Sequence, residues 1–338
     1  MPSVTVVVPC YNEAGHIIRC LDSIVGNGLP EDRLEILVVD GASSDGTSVL
    51  VADYARRHPS VRLIGNPRRL IPAALNLGIA AARFEFVLRM DAHSTLEPGY
   101  IERCLECLDQ GVAERIGGCL ETRPQEETLL GRAIALALSS PFGVGNSVFR
   151  TASGTKTPLL VDTVPFWCCH RSLFEKAGLF DERLSASEDV EFSLRLKRLG
   201  LRTALAPGAR GTYFARSGLA AFWKHNIRNG IWAVLPFRYV DGMPVRPRHL
   251  IPLLFVSSLV AACVLSASGA SNWPLLLVAG SYLACSLFIS LATACRKRQF
   301  GMLFWMPVAF GALHVGYGAG SLMGVGQLIL GSARKERS

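Results

Sequence analysis

The chain has 338 residues, of which 50% are hydrophobic and only 18% charged, and its mean hydropathy is +0.31. A soluble domain of ordinary composition carries more charge, so part of this chain is expected to lie in lipid. The acids locate that part, because 26 of the 27 stand at or before Asp241 and residues 242–335 contain none. The segment after Asp241 carries +7 at the edges of apolar runs, which favours a membrane over nucleic acid as the partner of this basic chain.

The ten cysteines follow no metal-binding or disulfide spacing. Cys104 and Cys107 have the spacing of one half of a metal site, but the sequence has no second CxxC or histidine pair to complete it. Reduced, mostly buried thiols are therefore expected. The apolar stretch 4–8 is too short for a signal peptide and no basic residue precedes it. We expect the first 240 or so residues to remain in a reducing cytoplasm.

The first ninety residues alternate apolar, β-branched runs with helical patterns. This rhythm is typical of βαβ units in a parallel sheet and predicts an α/β domain. Ligands of such sheets bind beyond the carboxyl ends of the strands, so the residues just after each strand are the candidates for function. Strands are predicted at 4–8 (ended by Pro9), 34–39, 61–64 and 84–90, and helices at 14–25, 48–57 and 71–82.

Three later runs, at 250–270, 273–295 and 302–330, are long enough to span about 30 Å of hydrocarbon. Arginines precede the first run and the basic triplet 296–298 follows the second, so the positive-inside rule places that triplet and the α/β domain on the cytoplasmic side. The third run has two interpretations. One crossing leaves the basic end of the chain outside, against the rule, whereas 29 residues also suffice for a re-entrant pair.

Glycines recur at every fourth position in the third run, at Gly316, Gly320 and Gly324. Such a small-residue stripe suits close packing of helices. Glycine is also common in membrane helices, so a chance alignment is the alternative interpretation.

Polar residues follow the first two predicted strands, at 9–13 and 40–47. An aspartate at a strand end can accept hydrogen bonds from a base or a ribose, and glycines let the backbone approach a nucleotide. Each motif alone is equally typical of a turn or a helix cap. After the strand at 84–90 come Asp91 and His93, which in an extended segment would face the same side and could bind one divalent ion on a diphosphate. Alone, this pair too is more typical of a strand-end turn.

Five motifs occur in order along the chain: VVVPCYNE, ILVVDGASSDGT, AALNLGIAAA, RMDAH and SEDVEFSLRLKRLG. Together they resemble an inverting family 2 glycosyltransferase of the GT-A fold. The resemblance covers roughly residues 3–230 and is strongest to succinoglycan-type exopolysaccharide glucosyltransferases with C-terminal transmembrane helices. It implies a Rossmann-like, mostly parallel α/β domain that binds a nucleotide-diphosphate sugar, followed by membrane helices.

The resemblance also implies roles for single residues. Asp40 is expected to meet the base, and Asp91 the ribose and a metal ion. His93 stands where the commonest family pattern has a second aspartate, and imidazole binds Mn²⁺ more readily than Mg²⁺, so either ion remains open. The other residues expected to bind the donor are Pro9, Tyr11, Asn12, Glu13 and Asn76.

Asp189 is expected to be the catalytic base, with Glu188 beside it, in the first turn of a helix that Ser187 can cap. In the resembled family the aspartate of this pair takes the proton of the acceptor hydroxyl, which a direct displacement requires. The alternative is that both acids only favour a helix N-terminus. Arg228, in the mixed apolar and basic segment 219–237, is a candidate for holding the donor diphosphate, although that segment could equally be a plain amphipathic anchor.

The sequence thus predicts a catalytic domain at 1–218, an interfacial helix and linker at 219–248, about three membrane helices at 249–331 and a basic tail at 332–338. The predicted reaction moves a hexose, from UDP-glucose or UDP-galactose, to a hydroxyl of a lipid-linked saccharide with inversion, in exopolysaccharide or surface-glycan synthesis at the bacterial inner membrane. A divalent cation is the expected cofactor. The alternatives are a polyprenyl phosphate acceptor and an inactive scaffold or transporter. A transporter is disfavoured because His314 is the one ionisable residue in the middle of a span.

Overall fold

The computed structural model describes residues 2–151, 156–240 and 243–335, with side chains up to residue 330. In chain order its strands are β1 (Val4–Cys10), β2 (Leu34–Asp40), β3 (Val61–Gly65), β4 (Phe86–Arg89), β5 (Ser94–Leu96), β6 (Arg115–Pro124), β7 (Leu159–Leu160), β8 (Cys168–His170) and β9 (Thr203–Ala215). Its α-helices are α1 (Ile17–Val25), α2 (Thr47–Ala55), α3 (Ile71–Ala81), α4 (Tyr100–Asp109), α5 (Leu129–Leu138), α6 (Pro141–Val144), α7 (Val148–Thr151), α8 (Leu173–Ala177), α9 (Glu188–Arg198), α10 (Leu219–Val234), α11 (Ile251–Ala267), α12 (Trp273–Lys297) and α13 (Met302–Lys335).

The strands form one mixed sheet in the order β3-β2-β1-β4-β8-β6-β9-β5, and β7 pairs with β9. The four strands predicted from the sequence make its parallel half, because β1 pairs in parallel with β2 and β4, and β2 with β3. The pairs β4–β8, β6–β8 and β5–β9 are antiparallel. The chain order reverses between β1 and β4, which is where open α/β sheets bind ligands.

β1 and β2 are almost continuously apolar because both faces of the sheet are covered. Alternate residues of β1 pack into two clusters, one that includes Ile17 and Leu21 of α1 and one that includes Leu75 and Ile79 of α3. The prediction that Pro9 ends the first strand is wrong. β1 continues to Cys10, which pairs with Asp40 of β2. On its other edge, β1 pairs with β4 only as far as Val7, so the missing amide hydrogen of Pro9 breaks no hydrogen bond to β4.

The chain forms two compact units, one of residues 1–121 with 147–214 and one of residues 122–146 with 215–338. Their boundary after residue 214 is close to the predicted boundary after 218. The sequence did not predict that 122–146, with α5 and α6, belongs with the C-terminal helices. The divisions at 248 and 331 stay predictions, and residues 336–338 of the basic tail lie outside the described residues.

The second unit holds three helices that are long and apolar enough to cross a membrane, at Pro247–Ala267, Trp273–Lys297 and Met302–Leu330. The third run is one continuous helix, α13, so the re-entrant pair is wrong. The glycine stripe packs as predicted, because a Cβ at Gly320 would overlap the carbonyl of Ile227 on α10, and one at Gly230 of α10 the carbonyl of Tyr317. In α13, 50% of the most apolar window is buried in the protein, against 11% in each of the other two helices.

Candidate active site

Two loops at the carboxyl edge of the parallel strands hold each other in place. The Asn12 amide N–H donates to Ser43 Oγ at 2.8 Å, and Asn12 Oδ1 accepts from the Ser44 amide at 2.8 Å. The Glu13 amide donates to Thr47 Oγ1 at 2.9 Å. The motif after β1 and the motif after β2 are therefore one structure, in which the backbone of Asn12 and Glu13 is fixed by the second loop.

Asp40, at the end of β2, is buried and accepts four hydrogen bonds. They come from the Ser43 amide, the hydroxyls of Ser43 and Ser48, and the Cys10 thiol. Burial raises the pKa of Asp40, but the hydrogen bonds outweigh it and hold the pKa below its ordinary value. A carboxylate offers about four acceptor positions, so a base N–H must displace one of these donors to reach Asp40.

Tyr11 is the exposed aromatic side chain of the first loop, with 49% of its surface accessible. The guanidinium carbon of Arg69 lies 5.7 Å from its ring centroid. An open ring of this kind can stack on a nucleotide base. Pro9 belongs to β1 itself and contributes backbone rather than a loop side chain.

Asp91 and His93 lie between β4 and β5, where residues 92–93 form a turn, so the prediction of an extended segment is wrong. β4 ends at Arg89, the last residue that pairs with β1. Each side chain has a different partner: Asp91 Oδ1 lies 2.7 Å from an Arg89 guanidinium nitrogen, and His93 Nδ1 lies 2.9 Å from Glu13 Oε1. Their side chains keep 26% and 25% of their surface exposed.

The side chains at this turn are of the kinds that bind a divalent ion. Asp91 would supply a carboxylate oxygen besides the one that contacts Arg89, and His93 would supply an imidazole nitrogen, both of which Mn²⁺ accepts. Within the described residues, no group of three or more His, Cys, Asp or Glu side chains is placed to hold an ion. If Asp91 and His93 hold an ion, diphosphate oxygens and water would complete its coordination.

The acids that begin α9 have different environments. Glu188 is buried, and burial, followed by repulsion from Asp189, raises its pKa to about 7. Asp189 is partly exposed, and its backbone carbonyl accepts from Ser193 Oγ at 2.6 Å. Ser187 occupies the N-cap position in a left-handed conformation, with φ of 67°, and its side chain makes no capping hydrogen bond, contrary to expectation. Of the pair, Glu188 is buried and Asp189 is partly exposed.

Arg89 interacts with both acidic regions, the turn at Asp91 and the start of α9. The sequence patterns did not single out this residue. The side chain is buried, and the carboxylates of Asp91, Glu188 and Asp189 all attract it. Arg150 on α7 is a second missed cation: its guanidinium lies 4.9 Å from the Tyr213 ring centroid, within electrostatic range of Asp91 and Asp189. The signal for Arg89 was an arginine at the end of an apolar strand, two residues before Asp91.

The family model for "Glycosyl transferase family 2" matches residues 5–178, which is half of the chain and contains both strand-end motifs and the Asp91 turn. The chain belongs to glycosyl transferase family 2. Its mixed sheet, with the site at the carboxyl ends of β1, β2 and β4, is the GT-A-like architecture that the motifs predicted.

Curated relatives of this glycosyltransferase include two succinoglycan biosynthesis proteins of Rhizobium meliloti. ExoA is 27% identical over 93% of this chain and 92% of its own length, and ExoO is 32% identical over 64% and 62%. A third relative is a dolichyl N-acetyl-alpha-D-glucosaminyl phosphate 3-beta-D-2,3-diacetamido-2,3-dideoxy-beta-D-glucuronosyltransferase of Methanococcus voltae, 24% identical over 68% of this chain and 72% of its own.

Among solved structures, the glycosyltransferase is similar to the mannosyltransferase PcManGT of Pyrobaculum calidifontis, determined in complex with GDP-Man and Mn²⁺. The TM-score is 0.56 at 22% sequence identity, over 92% of this chain and 87% of the other. The similarity establishes a shared fold.

Asn76 has a different environment from the donor contact expected for it. Its Nδ2 donates to the Phe180 carbonyl at 2.9 Å and to Glu182 Oε1 at 3.0 Å, while its Oδ1 accepts from the Phe180 amide at 2.9 Å. The side chain thus ties α3 to the segment that precedes α9. In this glycosyltransferase Asn76 stabilises the chain that leads to Asp189.

Arg228 lies on α10, in the second unit. One face of α10 packs against α13 through Gly230 and through the carbonyl of Ile227. The helix is therefore partly enclosed by protein, unlike an anchor that lies alone in a lipid interface. A contact between Arg228 and the donor diphosphate stays a prediction.

Proposed function

We propose that this chain is a membrane-anchored, inverting glycosyltransferase that moves a hexose from a nucleotide-diphosphate sugar to a hydroxyl of a lipid-linked saccharide, in exopolysaccharide or cell-surface glycan synthesis. The observation that carries the proposal is that the partly exposed Asp189 and the predicted donor-binding residue Asp91 both interact electrostatically with Arg89. The names of the Rhizobium and Methanococcus relatives support the product class and a lipid-linked acceptor.

Asp189 takes the proton of the acceptor hydroxyl as the oxygen attacks the anomeric carbon. A general base contributes about 10²–10⁴-fold to rate when it lies within hydrogen-bond reach of that proton. Glu188 is buried and its raised pKa disfavours ionisation, so it does not compete for the acceptor.

On the donor side, the charge of the leaving nucleotide diphosphate requires compensation. A divalent ion held by Asp91 and His93 would supply it as a Lewis acid. The buried guanidinium of Arg89 holds Asp91 in place at 2.7 Å, and Arg150 adds a second positive charge to the same group of residues. Tyr11 offers its open face to the base.

Inversion follows from a single displacement. A retaining route needs a carboxylate nucleophile on the opposite face of the sugar. Asp40 has four hydrogen-bond donors of its own, Asp91 is paired with Arg89, and Glu188 is buried. These environments favour Asp189 acting alone in one step.

We propose the cytoplasmic side of a bacterial inner membrane for the catalytic unit. Arg296, Lys297 and Arg298 follow α12, and Arg246 and Arg248 precede α11, whereas the link between the two helices is uncharged. The positive-inside rule puts the basic ends in the cytoplasm and Asn272 outside. A single cysteine at Asn272, in a chain without its native cysteines, should react with an impermeant thiol reagent in intact cells, and one at Gln299 should not.

The direct test incubates membranes that contain the protein with a panel of nucleotide sugars and lipid-linked saccharides, and identifies the products by mass and NMR. A β-linked product from an α-linked donor, on a saccharide hydroxyl, supports the proposal. Transfer to a bare polyprenyl phosphate that survives Asp189→Asn would show the other acceptor class, since a phosphate needs no deprotonation. Binding of nucleotide sugar without transfer to any acceptor would indicate an inactive scaffold.

A further inference from the structure

We propose that Glu13 is a positioning residue for the metal ion: its carboxylate orients His93 so that Nε2 is the nitrogen that binds the ion. The proposal rests on the metal-dependent transfer proposed above and deepens it. It gives Glu13 a role different from the nucleotide contact implied by the sequence motif. Three features support this role: the hydrogen bond between Glu13 and His93, the backbone hydrogen bonds that fix both residues, and the packing of the imidazole ring against Tyr213.

The hydrogen bond determines the tautomer of His93. Glu13 Oε1 lies 2.9 Å from His93 Nδ1, and an ionised carboxylate only accepts. Nδ1 must therefore carry the proton. In the neutral imidazole the lone pair is then on Nε2, the nitrogen on the far side of the ring.

The two residues are held rigidly where they meet. The Glu13 amide donates to Thr47, and the Glu13 carbonyl accepts from the amides of His16 and Ile17 at 2.9 Å as α1 begins. The side chain of Glu13 keeps only 17% of its surface exposed. Its carboxylate therefore reaches His93 from a loop that is fixed before any ligand binds.

The imidazole ring is confined on a second side by Tyr213. Its centroid lies 5.3 Å from that of Tyr213, in an edge-to-face arrangement at 64°, and the His93 carbonyl accepts from the Phe214 amide at 3.3 Å. The hydrogen bond at Nδ1 and the contact with the Tyr213 ring together leave the imidazole little rotational freedom. Carboxylate–histidine pairs of this kind orient metal ligands and raise their basicity.

The pairing also gives a physical reason for histidine at this position. An aspartate at 93 needs no tautomer to be set, and would place a second negative charge against Glu13. A histidine at this position instead donates a hydrogen bond to Glu13 and still offers its other ring nitrogen to the metal ion. Glu13 and His93 are therefore expected to act as one unit.

The test measures Mn²⁺ affinity by the electron paramagnetic resonance signal of free Mn²⁺, with purified full-length protein and saturating UDP. Glu13→Ala should weaken Mn²⁺ binding by ~10–100-fold, the usual cost of losing an outer-shell partner. Glu13→Gln, whose side-chain carbonyl still accepts from Nδ1, should keep most of the affinity. Glu31→Ala is the matched control, because Glu31 Oε1 also lies near a histidine, 3.7 Å from His58 Nδ1, and should have no effect.

A double-mutant cycle separates orientation from a general structural effect. In a His93→Asp chain the ligand no longer depends on a tautomer, so adding Glu13→Ala should cause no loss of Mn²⁺ affinity. Equal losses in the two backgrounds would overturn the proposal, as would wild-type affinity in Glu13→Ala. If the wild-type protein binds no Mn²⁺ with any nucleotide diphosphate, the metal-dependent function fails first. The midpoint of thermal unfolding of Glu13→Ala, compared with that of Glu31→Ala, shows whether the variant is folded.

Discussion

The two units of this protein differ in what holds their residues in place. The first unit has 21 Lys and Arg against 23 Asp and Glu, and the second has 14 against 4. In the first, functional side chains such as Asp40, Asp91 and His93 each have a polar partner. In the second, helices approach until backbone touches backbone, at Gly230 and Gly320.

The two kinds of contact respond differently to substitution. A polar partner sets the orientation or ionisation of a group, so its loss alters the chemistry while leaving much of the packing intact. A glycine contact leaves no space for a side chain, so its loss alters stability and leaves the chemistry intact.

Asp189→Asn should lower the rate of transfer to a hydroxyl acceptor by ~10²–10⁴-fold, because the amide cannot take the proton. Affinity for the nucleotide sugar should stay close to wild type, since Asp189 acts on the acceptor. Asp53→Asn is the control, an exposed carboxylate on α2 that pairs with Arg56 at 2.9 Å. Near-normal turnover in Asp189→Asn would remove this residue from the mechanism.

Gly320→Ala should destabilise the protein by about 1–3 kcal/mol, because the added Cβ overlaps the Ile227 carbonyl and backbone cannot move aside as a side chain can. The midpoint of thermal unfolding in detergent measures it. Gly326→Ala on the same helix has no atom within 4 Å of the new Cβ and should be neutral or stabilising. Equal midpoints for the two variants would mean that α10 and α13 do not pack closely.

Glu188→Gln should change how stability depends on pH. The folded chain holds the proton of Glu188 up to a pKa of about 7, whereas the unfolded chain releases it near the ordinary value of 4.5. The free energy of unfolding of the wild type therefore contains a contribution that decreases as pH rises from 4.5 to 7. Subtracting the unfolding curves of wild type and Glu188→Gln isolates it, and a difference that does not vary with pH would contradict the raised pKa.

His93→Asp should alter the choice of metal. The wild type should prefer Mn²⁺, because an imidazole is a softer ligand than a carboxylate, and the variant should move towards Mg²⁺. The ratio of activities with the two ions at saturating donor measures the shift. Full wild-type activity in EDTA would show that the pair at 91 and 93 binds no catalytic ion.

Sequence patterns were sufficient for the parallel half of the sheet and for the membrane helices, because both depend on local composition. The strands with antiparallel partners, β5 to β9, escaped prediction. Of these, β5 and β8 have three residues each and β7 has two, and strands so short have no periodicity of their own. The longer strands β6 and β9, of 10 and 13 residues, were also missed. The sequence also did not reveal that 122–146 packs with the C-terminal helices, because this packing joins segments that are far apart in the chain.

At the site, the order of motifs along the chain predicted the candidate residues, including Asp40, Asp91, His93 and Asp189, since chemistry-bearing residues follow strands and begin helices. The contacts of each of these residues became visible in the folded structure alone. The pairs Glu13–His93 and Asn76–Phe180 span 80 and 104 residues of sequence. The burial that separates Glu188 from its neighbour Asp189 likewise arises from the folded surroundings. Hydrogen-bond partners and burial depend on segments far apart in the chain, and no local pattern encodes them.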